Sequence, residues 1–377
     1  MLIKYGLLSI SAAIAANLTC GRAFAQDEAV TNDAKIGYNS PSEWIPDISS
    51  ITLFGKVETG LLYGKYNSNV PALASVFNGT SAYGLRGSED LGGGLLAFFF
   101  LEQSFKATTG AATTGMAFTK GSYVGLQSNQ FGRLELGRMH TPLYWSYNDS
   151  DVNRSFDDSS LTAIKMQYNT LLGFAANSDY YNNGIYYATP VFKGLQADVA
   201  YSFGAENAGF QPQSQKQFGW RLSYHNGPLE LTYGSNEYLY YPTAKSTHAA
   251  SWNSYVVAGT YDLRFVKIGT NYAYARRTDT GWFGSSWQVN AAVPIGPRTD
   301  VNIGTARLLQ TGGMATQDFS LEANYHFSKR TLVYIEGLYY HNNSKGTVGS
   351  DILSSSYTTV TPGFNARAAS IGMKTKF

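Results

Sequence analysis

From residue 51 onward the chain alternates. In residues 51–63, ITLFGKVETGLLY, one face carries Ile51, Leu53, Gly55, Val57, Thr59, Leu61 and Tyr63. The other carries Thr52, Phe54, Lys56, Glu58, Gly60 and Leu62. A period of two marks a strand with one apolar and one polar face. The same period returns at residues 266–277, 287–293, 319–327 and 369–377. Runs of about ten residues are what a tilted strand needs to cross the hydrocarbon of a bilayer. Tyr or Phe sits near the ends of the apolar faces, as in the aromatic girdles of membrane barrels. The pattern therefore predicts a transmembrane β-barrel. A soluble β-sandwich also alternates, but with strands of about five or six residues.

The start of the chain has a different character. Residues 1–25, MLIKYGLLSISAAIAANLTCGRAFA, open with a lysine, continue apolar and end in Ala23-Phe24-Ala25. This is the form of a secretory signal, with cleavage expected before Gln26. It holds the only cysteine, Cys20, so no disulfide framework is expected in the exported part. Its removal takes Lys4 and Arg22 and cancels the formal charge of +2. No basic excess remains, and nucleic acid is not an expected partner. Beyond it no run approaches the roughly 18 consecutive apolar residues of a membrane helix. With 39 glycines, 28 tyrosines and only 14% charged residues, the composition favours strands and turns over helices.

The connections alternate in length. Short ones fall at SEDLGGG, SNQFG, TPVFKG, HNGPLE, DLRF, PIGPRTD and FSKRT. Longer polar stretches fall at 64–82, 106–119, 141–180, 204–217, 235–254, 276–286, 309–318 and 341–363. Short turns on one rim and long loops on the other are expected of an outer-membrane barrel, and seven short turns plus a closing pair imply about sixteen strands. In this reading residues 84–105, GLRGSEDLGGGLLAFFFLEQSF, form a hairpin. Phe99, Leu101 and Phe105 face lipid, while Glu102 and Ser104 face inward.

Little in the chain reads as catalytic or metal-binding chemistry. Asp149, Asp151 and Asn153 alternate like a calcium loop, but Arg154 stands at the sixth position and Ser160 at the twelfth, so the match fails. No two of the five histidines have metal-ligand spacing. Dinucleotide, Walker and G-x-S-x-G motifs are absent. Two other classes remain as alternatives. A barrel enzyme would need a Ser or Asp set near a histidine, and Ser246 and His248 share a loop without a further partner in sequence. An adhesin or receptor surface would use tyrosine-rich loops such as residues 236–255.

Five segments carry a resemblance. Residues 81–105 (SAYGLRGSEDLGGGLLAFFFLEQSF), 120–144 (KGSYVGLQSNQFGRLELGRMHTPLY), 182–204 (NNGIYYATPVFKGLQADVAYSFG), 326–342 (HFSKRTLVYIEGLYYHN) and 371–377 (IGMKTKF) are similar to the general trimeric porins of Gram-negative bacteria. The likeness is to the proteobacterial branch with an E-D-L-G-G-G turn, and Phe377 resembles the outer-membrane assembly signal. The resemblance implies an all-β fold, a sixteen-stranded antiparallel transmembrane β-barrel with an inward-folded third external loop. It implies a homotrimer in the outer membrane, among its lipid and lipopolysaccharide. It also implies passive diffusion of ions and small hydrophilic solutes, with no cofactor. The layout is then a signal peptide at 1–25, an N-terminal extension at 26–50 and the barrel at 51–377.

The same resemblance assigns the site. The third loop begins after Gly137-Arg138 and carries Asp149, Asp151, Asp157 and Asp158. Lys56, Arg86, Lys120 and Arg138 match basic positions of the lumen wall. Acids on the loop facing bases on the wall set up a transverse field. His140 beside the constriction reads as an ordinary polar loop residue. Ala82 and Tyr180 stand where wall arginines are usual, and Leu96, Phe98 and Phe100 occupy inward positions that are more polar in relatives. A wall less basic and more aromatic than usual leads to two expectations: a mild preference for cations, or a preference for neutral or aromatic solutes.

Overall fold

The computed structural model describes residues 50–65, 73–78, 80–113, 116–152, 166–167, 170–171, 179–204, 215–242, 246, 248–349 and 360–377. The expected signal peptide, the extension up to residue 49, and Asp157 and Asp158 lie outside the described residues.

The strands, in order, are β1 Ser50–Lys65, β2 Leu73–Asn78, β3 Ala82–Gly92, β4 Leu95–Ser104, β5 Gly121–Ser128 and β6 Gly132–His140. A short helix, α1, follows at Pro142–Asn148. Next come β7 Tyr180–Ala188, β8 Leu195–Ser202, β9 Gln217–Asn226, β10 Leu229–Tyr240, β11 Ala250–Asp262 and β12 Lys267–Arg277. The last five are β13 Phe283–Gly296, β14 Thr299–Gln310, β15 Met314–His326, β16 Thr331–Asn342 and β17 Arg367–Lys376.

All strands belong to one antiparallel sheet, and β1 closes it by pairing with β17, Lys56 opposite Lys376 and Lys65 opposite Arg367. Closure satisfies the backbone polar groups of both edges, which hydrocarbon requires. The seventeen segments make sixteen barrel strands, because β2 and β3 share one position. Both pair with the same edge of β1, β3 along Ser50–Lys56 and β2 along Thr59–Gly64. The pairing slips by one residue between them. Glu58 knits the slip together: its carboxylate accepts from the Thr80 N–H at 3.0 Å, the Thr80 hydroxyl at 2.8 Å and the Tyr334 hydroxyl at 2.8 Å. Ser81 accepts from the Glu58 N–H at 2.9 Å.

The seven short turns fall where the sequence places them. Several of the long stretches are partly strand: 235–254 shrinks to 241–249, 276–286 to 278–282, and 309–318 most of all. There β14 runs to Gln310 and β15 starts at Met314, leaving a three-residue turn at Thr311–Gly313. Thr316 and Asp318 look like loop residues but are buried on the inner face of β15.

Alternation decides which face meets lipid. Ile51, at 76% exposure, and Leu53, Leu61, Phe319, Leu321, Ile371 and Met373 point outward, while Lys56, Glu58, Glu322, Ser370 and Lys374 are buried inside. Phe131, Phe192, Phe265 and Phe327 are exposed at four of the short turns, and Phe377 ends the chain on the same rim. They form one aromatic girdle. Phe99 and Leu101 lie on the outward face of β4 and Glu102 on the inward one, as the hairpin reading has it.

Candidate functional site

The interior divides into three sectors of wall. The first runs over β1 and β3–β6 and is paved with rings. Phe54 lies 5.4 Å from Phe100, Phe100 stacks on Tyr123 at 5.2 Å, and Tyr123 meets Phe98 edge-on at 6.3 Å, all between ring centroids. Two guanidiniums cover the ends of the row: Arg86 sits 5.1 Å over Phe54 and Arg133 4.5 Å over Phe98. Glycine makes the paving possible. A Cβ on Gly84 would lie 2.6 Å from the Phe54 ring, and one on Gly125 would lie 2.7 Å from Phe98 Cε1. Phe98 and Phe100 do face inward, but they are only 4% and 8% exposed. They therefore offer little surface to a passing solute.

The second sector holds α1. Thr141 caps this helix by accepting from the Tyr144 N–H at 3.0 Å, and Pro142 opens it with a φ already suited to the first turn. All seven residues of α1 are buried, and it packs against β8, β9, β10 and β11. Thr232 on the inner face of β10 donates to the Ser146 hydroxyl at 3.3 Å. Gly234 lets the helix come close, since a Cβ there would lie 2.7 Å from Ser146 Cβ. Further along, Asn271 donates to Ser150 at 2.8 Å, Ser254 to the Leu171 carbonyl at 3.0 Å, and Gln167 to Ser286 at 3.1 Å. The described residues after β6, 142–152, 166–167 and 170–171, thus lie against the inner wall from β8 to β13.

The third sector, β14–β17, is lined by carboxylates and amides. Asn302 and Asn324 both donate to Glu322, at 3.0 and 2.6 Å, and Ser370 donates to Glu336 at 2.5 Å. Glu322 and Glu336 stand directly opposite each other on β15 and β16. Like charges so placed repel, and the donated hydrogen bonds offset part of that cost. Lys374 and Lys56 are the buried bases beside this sector.

The expected site residues distribute as follows. Lys56 is buried on the inner face of β1, and Arg86 on that of β3. Lys120 is half-buried just before β5. Arg138 donates to the Thr119 carbonyl at 3.0 and 2.8 Å and to Asn182 at 2.5 Å, with its guanidinium 4.3 Å over the Tyr180 ring. Tyr180 thus serves as a platform for Arg138. His140 stacks on Tyr144 at 3.6 Å between centroids. Asp149 and Asp151 follow α1, and Asp151 is buried.

The ion pair that Asp149 makes is with a base the sequence reading missed. Arg221, on β9, binds Asp149 at 2.9 Å and Asp198 of β8 at 2.5 Å. Its signal was present: Trp220 and Leu222 point outward, so the charged residue between them must point in. The same alternation places Asp198, and the Arg133–Glu135 ion pair on β6.

A closed antiparallel barrel that is apolar outside, charged inside and entered by a loop is built as a channel through an outer membrane. Comparison with known proteins agrees. Residues 11–345 match the model of the Gram-negative porin family. The chain is 30% identical over 361 residues to an outer membrane porin protein of Bordetella pertussis, covering 78% of this chain and 89% of that one. Its fold is similar to the anion-selective porin from Comamonas acidovorans, with a TM-score of 0.77, 26% identity, and coverage of 87% and 100%. It also matches a trimer form of in-vitro folded OmpT of Vibrio cholerae, with a TM-score of 0.65, 16% identity, and coverage of 88% and 100%. The chain belongs to the Gram-negative porin family. It is an outer-membrane porin, a channel for passive diffusion of ions and small hydrophilic solutes.

Proposed function

We propose that this porin is a homotrimer whose lumen is narrowed by the segment after β6 and leans weakly toward cations. One observation carries the selectivity. Among the described residues, seven carboxylates near a base or polar side chain or at a lumen position (Glu58, Glu102, Glu135, Asp151, Asp198, Glu322 and Glu336) and five bases (Lys56, Arg86, Arg133, Arg221 and Lys374) are buried in the barrel; Asp318, buried without a base, adds no charge to this balance. Charge fixed on a narrow aqueous path biases which ions enter it. In this reading Asp149 and Asp151, with Asp157 and Asp158 further along the same segment, supply the acidic side of the narrowing. Lys56, Arg86, Lys120 and Arg138 supply the basic side. The Comamonas relative is an anion-selective porin. Here Ala82 is fully buried on the inner wall and Tyr180 lies under Arg138, so neither adds a charge where the family resemblance expects one.

The trimer is supported by the trimeric OmpT form and by the outer surface of β1 and β3–β6. An apolar hollow of about 950 Å³ lies there, between Ile51, Phe99, Val124, Leu126, Leu134 and Leu136. It suits an apolar neighbour better than water. Conductance recordings in a planar bilayer test the assembly and the narrowing together. Insertions should arrive in groups of three equal steps, and replacing residues 142–178 with a short Gly-Ser link should enlarge each step. Single steps, or an unchanged step after excision, would contradict the proposal.

A further inference from the structure

We propose that Arg221 is the latch that holds the inward segment against the wall, and so a positioning residue for the size limit of the pore. The inference rests on the reading that this segment narrows the lumen. It goes further by assigning the hold to one side chain.

The geometry is two-sided. Arg221 stands on the inner face of β9 and is only 1% exposed. Its Nε donates to Asp198 on the adjacent strand, its direct cross-strand partner. Its Nη1 donates to Asp149, the residue that ends α1. One guanidinium thus spans wall and loop, using the fork that lets arginine serve two carboxylates at once. By contrast, Thr232 to Ser146 at 3.3 Å and Asn271 to Ser150 at 2.8 Å join neutral groups. Charge-assisted bonds are roughly twice as strong as neutral ones.

The latch also has a failing state. Without the guanidinium, the half-buried Asp149 and the buried Asp198 face each other as like charges. Losing the partner they share favours their separation. On Asp149 that means the segment after β6 leaves the wall. On Asp198 there is no such freedom, because β8 is fixed on both sides by β7 and β9.

The test compares Arg221→Met, Arg221→Lys and Asp149→Asn with the wild type and with the variant lacking residues 142–178. The readouts are step conductance in a planar bilayer and the largest neutral sugar that crosses proteoliposomes. Heat-dependent gel mobility checks that each barrel is folded. Arg221→Met should raise the step conductance, add open-channel noise and admit sugars the wild type excludes. Asp149→Asn should do the same to a smaller degree, since Arg221 keeps Asp198. Arg221→Lys keeps the charge without the fork, and should restore only part of the size limit. If Arg221→Met fails to fold, Asp149→Asn decides alone, because it leaves the wall pair intact. Wild-type conductance and sugar limit in folded Arg221→Met and Asp149→Asn, with the excised variant wider, would overturn the latch alone. An excised variant no wider than wild type would overturn the narrowing itself, and the latch with it.

Discussion

The wall over β3–β6 and the wall over β14–β17 obey one rule outside and two rules inside. Outward they carry the same residues: Leu85, Val124 and Leu136 on one, Ile303, Leu321 and Ile335 on the other, all exposed. Inward, the first is aromatic rings lying on glycines and covered by guanidiniums. The second is carboxylates served by amides and hydroxyls. Lipid or an apolar neighbouring subunit sets the outer face, and both demand apolar residues, so every strand is constrained alike. The inner face meets water and ions, and there the strands differ. The asymmetry across the lumen is thus free to serve permeation, whereas the outer face serves insertion.

The largest expected effects fall on the ring wall. Gly125→Ala places a Cβ against both the Phe98 ring and the Leu134 carbonyl oxygen, and should cost about 1–3 kcal/mol as ring and backbone give way. Gly337→Ala, on β16, meets its nearest neighbour at 3.8 Å and should change stability by less than about 0.5 kcal/mol. Denaturant unfolding of both variants in lipid vesicles checks the contrast. Equal costs would mean that the rings are not held by the glycine.

A step smaller is the knot at the slip between β2 and β3. Tyr334→Phe on β16 removes the hydroxyl that donates to Glu58 at 2.8 Å. The expected loss is about 1 kcal/mol, with the barrel still closed. The same unfolding assay reads it, and no loss at all would show that Glu58 takes its needed donors from Thr80.

The smallest effects concern charge. A unit charge about 10 Å from an ion path in water changes the ion's energy by roughly 0.4 kcal/mol, about twofold in permeability ratio. Glu322→Gln should therefore shift the channel toward anions by about that factor, and Arg86→Ala toward cations by a similar one. Reversal potentials of the two variants sharpen the comparison between walls. Shifts of the same sign would break it.

How much of this the sequence disclosed follows from the same contrast. The outer face was legible because a membrane demands apolar residues at every second position, as in residues 51–63 and 369–377. Strand ends were harder. Thr316 and Asp318 belong to β15, yet a lumen-facing polar residue near a strand end looks like loop. The slip between β2 and β3 left no local mark, since Glu58, Thr80 and Tyr334 meet only in the closed barrel. The place of Asp149 just beyond β6 was legible, and the inward direction of Arg221 was too. The pair of Asp149 with Arg221 was not, because 72 residues separate them and alternation gives a side chain's face without its neighbour.

The central claim is that the carboxylate excess of the lining outweighs its bases. The reversal potential of the wild-type protein in a planar bilayer across a KCl gradient tests it most directly. A small potential of the sign that marks potassium as the more permeant ion is expected. A potential marking chloride as the more permeant ion would contradict it, and would place the controlling charge on the wall arginines.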